Sequence, residues 1–308
     1  MTALIELRTR IRQLISKQEG WVNGAFRFAL SLAALLMVNN SLGYQPILCH
    51  WWVAVAIAFI CAFIQMQGTT VIVIFYTLLQ LMTLSTDVAA AALILIVVSY
   101  GVCAYFQSRD TYNFLTIPLC YHMNIPFMMP MAAGLSGGIY ELPSVLFGSV
   151  VSYFLHTVSQ NASLFLEANS EMNASILIQT KLLTSPMFYI YIATMCGVFI
   201  LAYYIRTSKV KYAWLVAVMA AVMASFVAML ATHLFIEGRG GIPSLVIGSI
   251  VTLVLGVVMT FFVQGVDYNR TEKVIYEDDE YIYYVTAVPK VHVAEQEKEV
   301  KKITERKE

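Results

Sequence analysis

Residues 143–152 read Pro-Ser-Val-Leu-Phe-Gly-Ser-Val-Val-Ser, and residues 243–252 read Pro-Ser-Leu-Val-Ile-Gly-Ser-Ile-Val-Thr. The second stretch follows the first at an offset of 100 residues, and the match extends without a gap over 112–155 and 212–255. An internal repeat in an apolar chain is typical of membrane proteins built from two copies of one helical unit. The repeat therefore predicts two helical units that pack around a shared interface.

Each copy of the repeat carries the signal for a helix start and for a closely packed helix face. Pro143 and Pro243 predict helix starts, because a proline in the first turn of a helix loses no backbone hydrogen bond. Small residues follow at every fourth position, on one face of each helix, where they allow another backbone to approach. This face is either a helix-packing seam or the wall of a pathway or site. Its residues are Ser144, Gly148, Ser152, Ser244, Gly248 and Thr252.

Composition assigns the chain to a class of membrane protein. The 308 residues are 59% apolar and 12% charged, whereas soluble domains carry about 25% charged residues. Residues 21–265 hold only seven Lys/Arg and six Asp/Glu residues, while 266–308 hold eight and eleven. The apolar runs approach the ~20 residues that a membrane-spanning helix needs, and they do not alternate as the strands of an outer-membrane barrel do. We therefore expect an all-α polytopic membrane protein with eight or nine hydrophobic helices.

The charge pattern divides the chain into three parts. The basic N-terminal segment has an apolar stripe at helical spacing, which predicts an interfacial amphipathic helix. Two β-rich runs near the C-terminus flank an acidic turn, which predicts a short soluble β-hairpin followed by a charged tail. The predicted parts are the amphipathic helix 1–20, the transmembrane domain 21–265 with three-helix repeat units at about 88–158 and 186–264, and the soluble tail 266–308 with strands Lys273–Glu277 and Tyr281–Val288.

The fifth hydrophobic segment, residues 113–135, departs from the rest. It contains Pro118, Pro126 and Pro130, with His122 and Asn124 between them, and its repeat partner contains no proline. Interior prolines remove backbone hydrogen bonds, which protein or water must replace at membrane depth. The segment is therefore either a kinked but ordinary span or a broken helix that lines a binding site.

The distribution of Lys and Arg bears on the topology of this segment. With nine crossings, the basic residues that flank the segments divide seven against five between the two sides of the membrane. With eight crossings and a re-entrant fifth segment, they divide ten against two. The positive-inside rule favours the second arrangement, with both termini in the cytoplasm. The repeat favours the first, because three full spans per unit would give two inverted copies.

The tail carries a resemblance to known proteins. Val266-Asp267-Tyr268-Asn269-Arg270-Thr271-Glu272, Glu277-Asp278-Asp279-Glu280-Tyr281 and the run to Ala287-Val288-Pro289-Lys290 form its pattern. This pattern resembles the tail of a group of uncharacterised bacterial polytopic membrane proteins, sometimes labelled ABC-transporter permeases. The resemblance implies a bacterial plasma membrane and a permease role. It covers only the tail and transfers no functional residue.

The sequence predicts no catalytic, cofactor or metal site. It contains no phosphate-binding loop of the Gly-x-x-x-x-Gly-Lys-Ser/Thr type, no His-Glu-x-x-His helix and no Gly-x-Ser-x-Gly elbow. The five cysteines have no paired spacing, which indicates small apolar core residues. The histidines His50, His122, His156 and His233 share no ligand spacing, so we expect each to be a packing or interfacial residue.

These observations predict a non-enzymatic membrane transport component, a permease-like subunit whose substrate the sequence does not specify. Its expected surroundings are the lipid bilayer and, on the cytoplasmic side, a separate ATPase or another soluble partner. The net charge of zero gives no reason to expect a nucleic-acid partner. The alternative is a membrane scaffold that recruits a soluble partner through its charge-dense tail.

Overall fold

The structure is a computed structural model. It describes residues 17–106, 112–163, 184–210, 212–237, 242–263, 272–277 and 282–287, together with Phe165 and a few single residues before 17. The described residues form ten α-helices and two strands. The helices are α1 (Glu19–Ser41), α2 (Trp51–Phe63), α3 (Met66–Leu84), α4 (Thr86–Phe106), α5 (Asn113–His122), α6 (Met128–Ser136), α7 (Leu142–Gln160), α8 (Pro186–Thr207), α9 (Ala213–Thr232) and α10 (Ile242–Val263), and the strands are β1 (Glu272–Glu277) and β2 (Ile282–Ala287).

Seven of these helices are long and apolar enough to cross a membrane. They are α1, α3, α4, α7, α8, α9 and α10, and each carries at least 18 residues with high mean hydropathy. Helix α2 is also apolar but has only 13 residues. The protein is therefore a mostly helical, multi-pass membrane protein, as the composition predicts. The helix starts at Leu142 and Ile242 lie beside Pro143 and Pro243, where the repeat places them.

The helices α1 and α2 run antiparallel, and their contacts define the two ends of the bundle. Arg27 donates a hydrogen bond from Nη1 to the Ile64 carbonyl at 3.0 Å, near the start of α1 and the end of α2. Asn39 donates to the Leu48 carbonyl at 3.2 Å at the opposite end. All Lys and Arg side chains described between residues 1 and 263 belong to the first end, which we name the basic end. All four described histidines, His50, His122, His156 and His233, belong to the other, the histidine end.

The Pro-containing segment forms a hairpin of two short helices, α5 and α6, which enters and leaves the bundle at the basic end. Asn113, at the start of α5, donates from Nδ2 to Ser144 Oγ at 2.8 Å, near the start of α7. At the end of α6, the carbonyls of Leu135 and Gly137 accept hydrogen bonds from Arg206, near the end of α8. Both ends of residues 113–136 therefore lie at the basic end, which agrees with the re-entrant arrangement that the distribution of basic residues favours.

The remaining eight described helices, the short α2 among them, alternate in direction along the bundle. The Ser159 hydroxyl donates to the Ser41 carbonyl at 2.6 Å, so α1 and α7 both end at the histidine end. Helix α10 starts at that end, and Phe261 near its close lies 5.9 Å from the Arg8 guanidinium at the basic end. Helix α1 therefore begins at the basic end, and helix α10 ends there.

The re-entrant hairpin changes how the sequence repeat appears in three dimensions. The units 88–158 and 186–264 coincide well with α4–α7 and α8–α10. Helices α4 and α8 both run toward the basic end, but α7 runs toward the histidine end and its repeat partner α10 runs away from it. The cause is the hairpin, which stands in the first unit where the full helix α9 stands in the second. The expectation of two equivalent three-helix units is therefore not met in the helix directions.

Two apolar cores hold the bundle together. One joins α1–α4 with α5 and α7 and contains Leu35, Leu81 and Val88. The other joins α6, α8 and α9 around Met131, Met195 and Phe199. In the tail, β1 and β2 pair antiparallel with Val274 opposite Val285. The connecting residues 278–281, the charged tail after 287 and most of the predicted amphipathic helix lie outside the described residues.

A polar network fastens α1 to α3 near the histidine end. The Tyr76 hydroxyl hydrogen-bonds Asn39 and donates to the Leu48 carbonyl at 2.7 Å. The Gln80 amide donates to Asn39 Oδ1 at 3.3 Å and accepts from the Gln45 backbone N–H at 2.9 Å. Buried polar groups stabilise a fold only when they are hydrogen-bonded, and these groups satisfy one another. The network holds the loop between α1 and α2 against α3.

Candidate functional site

The break between α5 and α6 forms the floor of a cavity at the histidine end. The cavity has a volume of about 470 Å³ and lies among the turn after α5, the ends of α7 and α9, and the starts of α8 and α10. A pocket of this size falls within the range of small-molecule sites. The polar side chains that line it include His122, Asn124, His156, Gln160, Tyr191 and His233.

Proline chemistry explains where the hairpin breaks. Pro126 has no N–H to continue a helix and disfavours helical backbone at Ile125 before it. The chain turns instead, with the Ile125 N–H bonded to the Cys120 carbonyl at 2.9 Å and Asn124 in the left-handed region at φ 59°. Asparagine tolerates this region better than most residues. Pro130 lies in the first turn of α6, where it costs little, and Pro118 lies within α5.

The two stripes of small residues both pack against the hairpin, which lies between them. A Cβ at residue 148 would lie 2.8 Å from Ile117 Cδ1, so the first stripe contacts α5. A Cβ at residue 248 would overlap the Asn124 carbonyl, so the second stripe contacts the turn. Ser144, Gly148, Ser152, Gly248 and Thr252 are buried, whereas Ser244 is exposed beside the cavity.

The structure divides the predicted candidates among three places. Six of them line the cavity, and two line a smaller cavity of about 230 Å³ between α1, α5 and α7, which shares His122 with the larger one. The remaining three line neither. The cavity holds His122, Asn124, Pro126, Ser244, Gly248 and Thr252, the smaller cavity adds Pro118 and Ser152, and Ser144, Gly148 and Pro130 lie elsewhere.

Three histidines meet at the cavity, which the sequence does not predict. His122 Nε2 lies 3.1 Å from Asn40 Nδ2, and the His156 ring lies 4.7 Å from the Tyr121 ring. His233 begins a short π-helical turn after α9. The three come from different helices, so no spacing in the chain reveals them. Within the part of the chain that the structure describes, no group of three or more His, Cys, Asp or Glu residues is arranged to hold a metal ion.

Two buried hydroxyl groups lie close to each other beside the cavities, and neither oxygen is accessible to solvent. Tyr191, on α8, lines the larger cavity and is 3% exposed. Ser152, on α7, lines the smaller one and is 1% exposed.

The cavity is polar but carries no formal charge on its described walls. Amides, imidazoles, phenols and hydroxyls line it, and none of the described lining residues is Asp, Glu, Lys or Arg. Rings from α5, α7 and α8 support one side, with Tyr121 and Tyr191 edge to face at 5.2 Å and Tyr153 5.7 Å from Tyr191. This aromatic cluster gives the wall both a rigid apolar surface and phenol groups.

A second arrangement, at the basic end, anchors the hairpin. Arg206 donates from Nη1 to the Leu135 carbonyl at 2.5 Å and from Nη2 to the Gly137 carbonyl at 2.8 Å. Its guanidinium lies 5.5 Å from the Tyr203 ring and 5.8 Å from the Trp214 ring. Charge-assisted hydrogen bonds to the last carbonyls of a helix are strong, and they complement its dipole. The sequence predicts neither Arg206 nor the nearby Glu141, which is 3% exposed, as a site residue.

No protein family matches this chain. No curated protein and no solved structure matches it either.

Proposed function

We propose that this protein is a non-enzymatic membrane transport component, a permease-like subunit, whose substrate binds in the cavity at the histidine end. One observation carries the proposal: the break of a re-entrant hairpin lines a polar cavity among membrane-spanning helices. Irregular backbone at membrane depth is tolerated only where protein or a water-filled cavity satisfies it. In transporters, such discontinuous helices form substrate sites.

The depth of the turn supports this proposal. Helix α5 has ten residues, so its far end lies roughly 15 Å from the basic end at 1.5 Å per residue. The hydrocarbon layer of a bilayer is ~30 Å thick. His122 contacts Asn40 near the end of α1, and Asn124 contacts Gly248, six residues into α10, so we propose that the turn lies within the membrane but closer to the histidine end than to the midplane.

The distribution of charge supports an orientation. The described Lys and Arg residues of the transmembrane domain belong to the basic end, and the positive-inside rule assigns such an end to the cytoplasm. The cavity then faces the opposite side of the membrane. A transport cycle would need the hairpin to move, because the packing of α6 against α8 and the Arg206 hydrogen bonds separate the cavity from the cytoplasm.

The experiment compares two matched tryptophan substitutions on α10. Ser244→Trp places an indole in the mouth of the cavity, whereas Ile247→Trp, at a position that is 63% exposed and outside the cavity, is the control. Vesicles from the native membrane are energised, supplied with a small-molecule extract and analysed by mass spectrometry for accumulated compounds. We expect at least one compound to accumulate with wild type and Ile247→Trp but not with Ser244→Trp. Identical contents in all three vesicles would refute the proposal.

A membrane scaffold is the second candidate, and the exposure of β2 favours it. Residues 283–286 are all exposed, with Tyr284 at 76%, so this strand presents aromatic surface that a soluble partner such as a separate ATPase would cover. The tail follows α10 at the basic end, the side proposed to be cytoplasmic. Deletion of residues 266–308 separates the candidates: a scaffold loses its partner and its phenotype together, whereas a permease with its own substrate site retains binding in the cavity.

A further inference from the structure

We infer that a groove between α1 and α2 at the basic end binds an anionic phospholipid, with an acyl chain in the groove and the phosphate beside Arg27. The groove has a volume of about 580 Å³ and shares no described residue with the cavity at the histidine end. It faces outward from the bundle, as the exposed rings of Trp21, Phe59 and Phe63 indicate. The inference therefore concerns a second surface and does not depend on the proposed transport function.

Small residues make the floor of the groove, and aromatic rings make its walls. A Cβ on Gly20 would meet no heavy atom of the described residues within 4 Å, so the start of α1 leaves space beside it. A Cβ on Gly24 would reach only ordinary contact distance, 3.5 Å, from the Ala62 carbonyl on α2. Phe28 and Phe59 flank this floor. The apolar trough suits a hydrocarbon chain, which gains van der Waals contacts along both helices.

The groove has the depth of one leaflet. Gly20 and Phe28 are eight residues apart on α1, a distance of roughly 12 Å at 1.5 Å per residue. One leaflet contributes about half of the ~30 Å hydrocarbon layer. Trp21, which is 85% exposed, lies at the end of the groove nearer the headgroups, the level at which tryptophan is enriched. The occupant of such a groove is therefore a lipid of the leaflet at the basic end.

The charge around the groove selects the headgroup. Arg27 lies one turn along α1 from Gly24, and its Nη1 donates to the Ile64 carbonyl at 3.0 Å. That carbonyl is neutral, so the contact uses one of the five guanidinium N–H donors and does not neutralise the positive charge. Lys17, which is exposed, precedes the groove, and residues 1–27 hold five basic and two acidic residues in all. A headgroup with net negative charge is therefore favoured beside Arg27 over a zwitterionic one.

Two occupants from the protein itself fit this groove less well. The segment before α1 reaches α10, since the Arg8 guanidinium lies 5.9 Å from the Phe261 ring, whereas the groove lies between α1 and α2. A second copy would pair the same surface about a two-fold axis and bring two Arg27 and two Lys17 side chains together. Like charges in that arrangement repel, so a lipid is the favoured occupant.

The test uses native mass spectrometry of the full-length protein in detergent, with phosphatidylglycerol and phosphatidylcholine of identical chains at equal concentrations. Ala25→Trp places an indole in the groove. Ala29→Trp, one turn further along α1 at another exposed position outside the groove, is the matched control. We expect wild type and Ala29→Trp to retain phosphatidylglycerol in excess over phosphatidylcholine, and Ala25→Trp to lose this retention.

Two substitutions of Arg27 test the assigned phosphate contact. Arg27→Gln should lower the ratio of bound phosphatidylglycerol to bound phosphatidylcholine by about fivefold, the effect of one basic residue at an anionic surface. Arg27→Lys keeps the charge and should keep most of this preference. An arginine that only joins α1 to α2 through the Ile64 carbonyl would change the melting temperature and leave the ratio of bound lipids unaltered. That result would overturn the assigned contact.

Three other results would overturn the inference. Equal binding of the two lipids by wild type would contradict the headgroup assignment, and equal retention by wild type and Ala25→Trp would place the lipid elsewhere. A dimer of wild type that Ala25→Trp dissociates would show that the groove joins two copies of the chain. Loss of phosphatidylglycerol from Ala25→Trp but not from Ala29→Trp supports the inference.

Discussion

The contact between α10 and the re-entrant turn predicts a graded response to alanine at three helical glycines. At Gly248, the new Cβ would overlap the Asn124 carbonyl, a backbone atom that cannot move without shifting the turn. At Gly148, it would lie 2.8 Å from Ile117 Cδ1, the end of a flexible side chain. At Gly197, on α8, it would meet no heavy atom within 4 Å. We therefore expect stability to fall in the order Gly197→Ala, Gly148→Ala, Gly248→Ala.

The magnitudes follow from two opposing contributions. Alanine in a helix gains roughly 0.5–1 kcal/mol over glycine, and this gain should appear in full at Gly197. Overpacking costs about 1–3 kcal/mol when neighbours are forced to move. At Gly148, rotation of the isoleucine side chain should leave the net change near zero. At Gly248, we expect a net loss of about 1–2 kcal/mol, because the overlapped atom is backbone.

The measurement is unfolding by sodium dodecyl sulfate in mixed micelles, followed by circular dichroism, with thermal melting as a second readout. Gly197→Ala is the matched control, because it makes the same chemical change in a helix without a new contact. If Gly248→Ala were as stable as Gly197→Ala, the turn would not pack on α10, and the position assigned to the hairpin would be wrong.

Three further predictions concern the hairpin. Arg206→Gln removes two charge-assisted hydrogen bonds to the end of α6 and should lower the free energy of unfolding by about 1.5–3 kcal/mol. Lys209→Gln, at an exposed neighbouring position, should leave the free energy of unfolding unchanged. Equal stability of the two variants would contradict the anchoring role of Arg206. Asn124→Gly should match or exceed wild-type stability, because glycine adopts a φ of 59° without strain. Asn124→Val should lose about 1–2 kcal/mol in the same unfolding experiment. A valine variant as stable as wild type would argue against the left-handed turn. In a background without the native cysteines, cysteines introduced at Lys17 and Gln160, which are both exposed, should react with a membrane-impermeant maleimide from opposite sides of the membrane. Labelling of both from one side would restore a topology with an odd number of crossings.

Apolar periodicity and composition predict most of the transmembrane fold from the sequence. Segment lengths identify the helices because each must cross a layer of fixed thickness, and the prolines identify the irregular segment because they remove backbone donors. The tally of basic residues favours the re-entrant arrangement, and the contacts of Asn113 and Leu135 agree with it. These signals are local or additive along the chain, so they can be read without knowing which helices are neighbours.

The composition of the cavity could not be read in the same way. His122, His156 and His233 become neighbours only because three helices converge, and the helix order around the cavity depends on the hairpin. The arrangement of the repeat units could not be predicted either, because the hairpin replaces one full helix in the first unit, so α4 and α8 run in the same direction while α7 and α10 run in opposite directions. Arg206 gives no sequence signal for its role, since its partners are carbonyl oxygens, which every residue possesses.

The contact of Gly248 with the Asn124 carbonyl has a consequence for biogenesis. The hairpin is synthesised well before α10, yet α10 is the helix that covers its turn. The amides of Asn124, Ile125 and Met128 already bond to carbonyls within the hairpin, so it is the Asn124 carbonyl that α10 covers. We therefore expect this carbonyl to stay hydrated until the last helix is inserted, because an unsatisfied backbone group in hydrocarbon costs several kcal/mol. When the ribosome is stalled before residue 242, a cysteine in the turn should be labelled from water.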